Sequence, residues 1–124
     1  MADKFVRIGL ATGANNGTTA ADAWQTESAF ATALNGSISP GDTVYYAGNS
    51  ARKSSLSLST WSGNYLANVT IIGCYDYMVE LPNTQYVEID GTGSGATVDC
   101  YQLNGRSNIE WRHFYIHHFG RDVS

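Results

Sequence analysis

Residues 107–120 read "SNIEWRHFYIHHFG". Ile109 and Trp111 alternate with Glu110, the period-two pattern of a half-buried strand. The alternation then slips. If it continued, His113 and Tyr115 would face inward, but the next apolar pair is Phe114 and Ile116. A shift of one residue sends every following side chain to the opposite face of a strand, unless the chain bends there. The stretch therefore reads as two short strands meeting at a corner at Arg112-His113.

The first of these strands has a counterpart upstream. In "NVTIIG" (68–73) Asn68 precedes Val69 and Ile71, as Asn108 precedes Ile109 and Trp111, 40 residues later. Between them lie the strand candidates "YVEIDG" (86–91) and "TVDCYQLNG" (97–105). A strand type that returns after several short strands and turns is the mark of one coil of a solenoid. This reading stacks Val69 on Ile109 and Ile71 on Trp111, and lets "CYDYMVELPNTQ" (74–85) bulge out as a loop. Asparagine tolerates the left-handed backbone of a sharp turn. Asn68, Asn108 and Gly91 of "IDGTGSG" are accordingly assigned to coil turns. The competing arrangement is an antiparallel sandwich in which the asparagines coincide by chance.

Upstream, "KFVRIGLA" (4–11) alternates as a strand, and "TGANNGTTAAD" (12–22) is a loop with a turn at Asn16-Gly17. "DAWQTESAFATALNG" (22–36) is the one good helix pattern. Asp22 is its expected N-cap, Trp24, Phe30, Ala31 and Leu34 share one face, and Asn35-Gly36 supplies the stop. "SPGDTVYYAGN" (39–49) gives a turn at Pro40-Gly41 and a strand over 43–47. "SARKSSLSLSTWSGNY" (50–65) is read as a Ser-rich surface loop pinned by Leu56, Leu58 and Trp61. The organisation is a single domain: 1–50 with the first strand, the helix and the next strand, 51–67 as surface loop, and 68–124 as the first coils.

Composition narrows the function. The 124 residues suffice for one domain, and 43% are hydrophobic. Charged residues are 15%, against about a quarter in typical domains, and the net charge is −4 without a basic cluster. Nucleic-acid binding through phosphates has no support in that balance. No apolar run approaches the ~20 residues of a membrane span, and "MADKFVRIGLATG" lacks the apolar core of a signal peptide. Cys74 and Cys100 form no CxxC motif, so neither zinc nor any other cofactor is expected. They are read either as a bridge or as two buried thiols.

The succession of N-terminal strand, amphipathic helix, "PGDTVYYAGN", "NVTIIG", "EIDGTGSGATV" and "LNGRSNIEWRHFYI" resembles the N-terminal end of right-handed parallel β-helix proteins of the pectate-lyase-like superfamily. The resemblance covers nearly the whole chain. It implies an all-β solenoid start with an N-terminal capping helix that plugs the open end of the coils, with Trp24, Phe30 and Leu34 as the capping side chains. Catalytic members of that superfamily act on polysaccharides with residues on the outer face of later coils. No Asn-Thr-Asp, Asp-Asp or Arg-Ile-Lys motif is present in this chain. No catalytic residue and no metal ligand is assigned. Asp90 is expected to cap a turn, and Glu88 and Glu110 to be solvated outward positions.

His113, His117 and His118 are the remaining chemical candidates. His113 to His117 has the i, i+4 spacing of a metal pair on a helix, but the stretch reads as strand. His113 is expected at the corner and His117 on the outside beside Tyr115. These three residues are taken as a ligand or interface surface. The last rung closes at Gly120 with four residues to follow, so its edge is expected to be covered by further coils of a longer chain or by another subunit. The leading functional reading is a non-catalytic structural module of a surface or virion protein, such as a phage fibre, spike or decoration protein, in a homo-oligomer or larger assembly. The alternatives are the N-terminal end of a polysaccharide lyase or hydrolase whose active site lies beyond residue 124, and a carbohydrate-binding module using Tyr45, Tyr65, Tyr75, Tyr77, Tyr86 and Tyr115.

Overall fold

A computed structural model describes residues 2–48, 50–51, 56–57, 69–76, 79–80, 87–91, 101–102 and 109–117. In chain order these contain β1 (Asp3–Arg7), α1 (Glu27–Leu34), β2 (Thr43–Ala47), β3 (Ser50–Ala51), β4 (Leu56–Ser57), β5 (Val69–Asp76), β6 (Val79–Glu80), β7 (Val87–Asp90), β8 (Tyr101–Gln102), β9 (Ile109–Arg112) and β10 (Phe114–His117). The fold is mostly strands in parallel sheets, with one short helix.

Three sheets are built from these strands. In the first, β1, β2, β5 and β9 lie side by side and parallel, and β6 joins β5 antiparallel. The second has the order β10-β7-β3, and the third pairs β4 with β8, again parallel. Strands that lie parallel in a sheet are far apart in sequence. Val44 faces Ile71, Val69 faces Ile109 and Ile71 faces Trp111, so the stacking of Val69 and Ile71 on the later strand is as expected. The segment after Gly73 leaves the parallel sheet as a hairpin, with Cys74 opposite Glu80 and Asp76 opposite Val79. Two residues pairs expected in a surface loop, 50–51 and 56–57, are instead short strands. The Ser-rich composition hid them, because two-residue strands carry no usable alternation. Asn68, Asn108, His118 and Cys100 lie outside the described residues, as do the other parts of the 51–67 loop.

The helix is shorter than its sequence pattern. It begins at Glu27, and its N-cap is Thr26, whose Oγ1 accepts from Ala29 N at 3.0 Å. Asp22 is not the cap. Its carboxylate instead accepts from Ala14 N and Thr19 Oγ1, and its carbonyl accepts from Asn16 N and Gly17 N, which closes the 13–22 loop. Trp24 is likewise outside the helix. It is extended and bridges Val6 in parallel, adding to the outer side of β1. Its indole lies over Gly17, where a Cβ would come within 2.5 Å of the ring and where φ is +72°. Glycine is required there on both counts. The helix stops at Asn35, whose N–H is shared between the Ala31 and Thr32 carbonyls, and Ile38 N returns to Ala33 O.

One face of α1 is buried through Phe30, Ala31, Ala33 and Leu34. These residues join Val6, Trp24, Ile38, Val44, Tyr46, Val69, Ile71 and Val87 in one core. Four rings within it make a closed circuit of edge-to-face contacts. Phe30 meets Tyr46 at 5.4 Å, Tyr46 meets Phe114 at 5.2 Å, Phe114 meets Trp111 at 5.5 Å, and Trp111 meets Phe30 at 6.4 Å. The helix is thereby tied to the strands furthest along the chain. On the other side of the first sheet Phe5 stacks on Tyr45 at 5.8 Å.

Asp42, the aspartate of "PGDTV", is 4% exposed. Its Oδ1 accepts from Ala2 N at 2.9 Å and its Oδ2 from Ser39 N at 3.0 Å, while its carbonyl accepts from Thr70 N. It fixes the starts of β1 and β2 and the approach of β5. No periodicity marks such a residue, so the sequence pattern gave it no role.

Two substitutions test this packing by urea unfolding. Phe30→Ala is expected to cost about 3–5 kcal/mol, as for a core aromatic; a loss below about 1 kcal/mol would mean that α1 does not pack on the sheets. Asp42→Ala leaves two backbone N–H groups without their acceptor and is expected to cost about 2–4 kcal/mol. A neutral result would show that water replaces the carboxylate freely.

Candidate functional site

The described outer surface has one place where aromatic, acidic and imidazole groups meet, on the second sheet. Parallel pairing sets Tyr115 opposite Glu88 and His117 opposite Asp90, with Phe114 on Val87 and Ile116 on Ile89 between them. Val87 and Ile89 are buried, so Glu88, Asp90, Tyr115 and His117 take the outer face. Tyr115 is 54% exposed and is the one large apolar side chain described as exposed. Its ring stacks on His117 at 4.3 Å with the planes 8° apart. His117 Nε2 donates to Glu88 Oε2 at 2.9 Å, the two side chains being 16% and 44% exposed.

The arrangement holds the imidazole in place. One ring face lies on Tyr115 and one nitrogen on Glu88, so the group joins β10 to β7 across the outer surface. Glu88 is outward as expected, but it is partnered by His117 and is not merely solvated. The signal for this was a second repeat. "VEID" and "FYIH" are 27 residues apart (87 and 114) and alternate in the same phase, which places Glu88 beside the Tyr115–His117 pair. Among the described residues no group of three or more His, Cys, Asp or Glu side chains is arranged to hold a metal ion. A second charged pair lies on the first sheet, where Arg112 Nε donates to Glu110 Oε1.

His113 stands between β9 and β10 and is the corner itself. Its φ is +61°, a left-handed conformation that few residues other than glycine and asparagine adopt. Its carbonyl accepts from Val87 N at 2.9 Å. The corner packs on Gly73, where a Cβ would come within 2.5 Å of the His113 carbonyl oxygen and 3.1 Å of Val87 Cγ2. His113 is therefore a backbone turn and stands apart from the Tyr115–His117–Glu88 group. Gly91 follows β7, is buried, and donates its N–H to the His117 carbonyl at 2.9 Å.

Trp24, Phe30 and Leu34 are all buried in the core, Trp24 from the extended segment before α1 and the other two from α1 itself. Cys74 is buried, with Sγ 3.3 Å from the Ile72 carbonyl oxygen. Of the tyrosines considered for ligand stacking, Tyr45 leans on Phe5 and Tyr115 is exposed. The side chains of Tyr65, Tyr75, Tyr77 and Tyr86 lie outside the described residues.

Two glycine exchanges separate a backbone role at the corner from a chemical one. His113→Gly is expected to change stability by less than about 1 kcal/mol, whereas His113→Val should cost about 1–2 kcal/mol or more, because a β-branched residue resists positive φ. Gly73→Ala should cost about 1–3 kcal/mol through the clash with the corner carbonyl. Thermal melts showing His113→Gly to be the most damaging of the three would contradict the steric account.

Comparison with known proteins returns no matching family model, no matching curated protein and no matching solved structure.

Proposed function

We propose that this chain forms the start of a right-handed parallel β-helix, capped by α1, and serves as a non-catalytic structural module of a surface or virion assembly. The observation that carries the coil is the order of the strands. The chain visits the three sheets as β2, β3, β4, then β5, β7, β8, then β9, β10, and each later strand lies parallel beside its earlier counterpart. A chain that winds repeatedly around one core gives this order, whereas a sandwich of hairpins gives antiparallel neighbours. The β5–β6 hairpin is then a local excursion from the second coil.

The scaffold role is supported by the character of the outer groups. The polar pair Glu88–His117 joins the neighbouring strands β7 and β10, and so works for the stack. Low charge suits a rigid element whose surface is read by other subunits. Other subunits of a homo-oligomer or larger assembly are the proposed partners, and the surface of a virion or cell is the proposed location.

A second reading is favoured by one residue. Exposed Tyr115, with a carboxylate on the next strand, has the composition of a sugar-stacking platform. Polysaccharide binding would make the module adhesive as well as structural.

Both readings are open to direct test. Antibody raised against the folded chain should label the outside of intact particles or cells in electron micrographs, and acidic and neutral polysaccharides incubated with the protein should release no new reducing ends or unsaturated products. Labelling confined to the cell interior would contradict the surface role, and steady product release would make the chain an enzyme. On a glycan array, binding lost with Tyr115→Ala would favour the adhesive reading.

A further inference from the structure

Tyr115 is an aromatic ring held in a fixed attitude on the outer surface. It is 54% exposed, and the ring that touches it, His117, lies parallel at 4.3 Å and 8°. One face of the phenol is therefore covered, and the exposure belongs to the other face and the rim. His117 is itself fixed. Its Nε2 donates to Glu88 on the neighbouring strand at 2.9 Å, and its Nδ1 is buried. One nitrogen is thus engaged and the other is out of solvent's reach, so the imidazole backs Tyr115 and offers no base to a ligand. A ring whose rotamer is set beforehand loses little freedom when a ligand settles on it.

The charge around this ring has one sign. The described strands of the sheet, Ser50–Ala51, Val87–Asp90 and Phe114–His117, carry the carboxylates Glu88 and Asp90 and no lysine or arginine. Glu88 stands opposite Tyr115 and Asp90 opposite His117, both on the outer face, and the Glu88 side chain is 44% exposed. The face of an aromatic ring is negative through its quadrupole. Carboxylates beside it deepen that potential at a distance, without having to touch the ligand.

We propose that the exposed face of Tyr115 is a docking site for an arginine side chain of a partner protein, with the guanidinium lying flat on the ring as the next layer of the Tyr115–His117 stack. Shape and charge together select that group. A guanidinium is planar, so it extends a pair of parallel rings, and it is cationic, so it gains from the ring face and from the carboxylates. An ammonium has the charge but no plane. A neutral sugar has a stacking face but leaves the carboxylates unused, and a uronate is repelled by them. The inference uses only the pairing of β7 with β10, and so stands or falls apart from the coil reading.

A titration of the full chain, followed through the amide shifts of residues 87–90 and 114–117, tests this. The probes are the end-capped peptide Gly-Arg-Gly, the same peptide with lysine, and the same peptide with citrulline, whose urea group has the shape of a guanidinium without its charge. The arginine peptide should bind most tightly and the citrulline peptide more weakly by about threefold or more. Raising the ionic strength should narrow that gap. Tyr115→Phe should keep the binding, and Tyr115→Leu, which keeps apolar bulk without the ring, should lose it. Glu88→Gln leaves an acceptor for His117 Nε2 and removes the charge, so it should weaken the arginine peptide and leave the citrulline peptide unchanged. Absence of shifts in these segments, equal affinity for the arginine and citrulline peptides, or full binding by Tyr115→Leu would overturn the inference. Tighter binding of a neutral oligosaccharide such as cellotriose would overturn it too, and would make Tyr115 a sugar platform.

Discussion

The circuit of Phe30, Tyr46, Phe114 and Trp111 is the contact on which the rest of the structure turns. Each edge-to-face pair contributes about 0.5–1.5 kcal/mol beyond the burial of its rings. Set against the 5–15 kcal/mol that typically separates folded from unfolded, four such pairs are a large share. Their placement matters more than their sum. Phe30 comes from the helix, Tyr46 from β2, Trp111 from β9 and Phe114 from β10. One cluster thus joins the helix to β2, β9 and β10, strands that are far apart along the chain.

The circuit closes because the strand between leaves room for it. Tyr46 faces Gly73 across the β2–β5 pair, and Gly73 has no side chain to fill the interior. Tyr46 can therefore meet Phe114 past that position. The same glycine accepts the His113 carbonyl at close range, which lets β9 turn into β10. A methyl group at residue 73 would run into the His113 carbonyl and Val87, and so disturb the corner. His113 adopts the left-handed backbone that the turn demands, and the cost of that conformation is offset by its hydrogen bond to Val87 and by burial of the rings on each side.

What the sequence disclosed follows from the range of each signal. The parity slip in "NIEWRHFYI" is local and clear, and it placed the corner at Arg112-His113, where the chain does bend. The partners Val69–Ile109 and Ile71–Trp111 were legible because "NVTI" and "NIEW" share an order of residue types. The repeat linking "VEID" to "FYIH" is as regular, yet it has no asparagine to draw the eye, and with it went the Glu88–His117 contact. Asp22 and Thr26 are equally good N-caps by residue type. Only the demands of the 13–22 loop, which takes both the carboxylate and the carbonyl of Asp22, decide between them. Trp24 was misassigned for the same reason, since an indole that belongs to the helix face by spacing is instead held over Gly17 by a sheet bridge. Asp42 was silent because a buried carboxylate that caps backbone groups from separate strands leaves no pattern along the chain.

The direct test of the account is the pattern of proton contacts in a nuclear Overhauser spectrum of the full chain. Parallel pairing predicts amide-to-Hα contacts linking 43–46 with 70–73 and 69–72 with 109–112, in the register that sets Val44 on Ile71 and Ile71 on Trp111, together with contacts between the Phe30 ring and the Trp111 indole. Strong Hα-to-Hα contacts between these segments, which mark antiparallel neighbours, or a Trp111 indole remote from Phe30, would contradict parallel pairing of β2, β5 and β9 around one aromatic core.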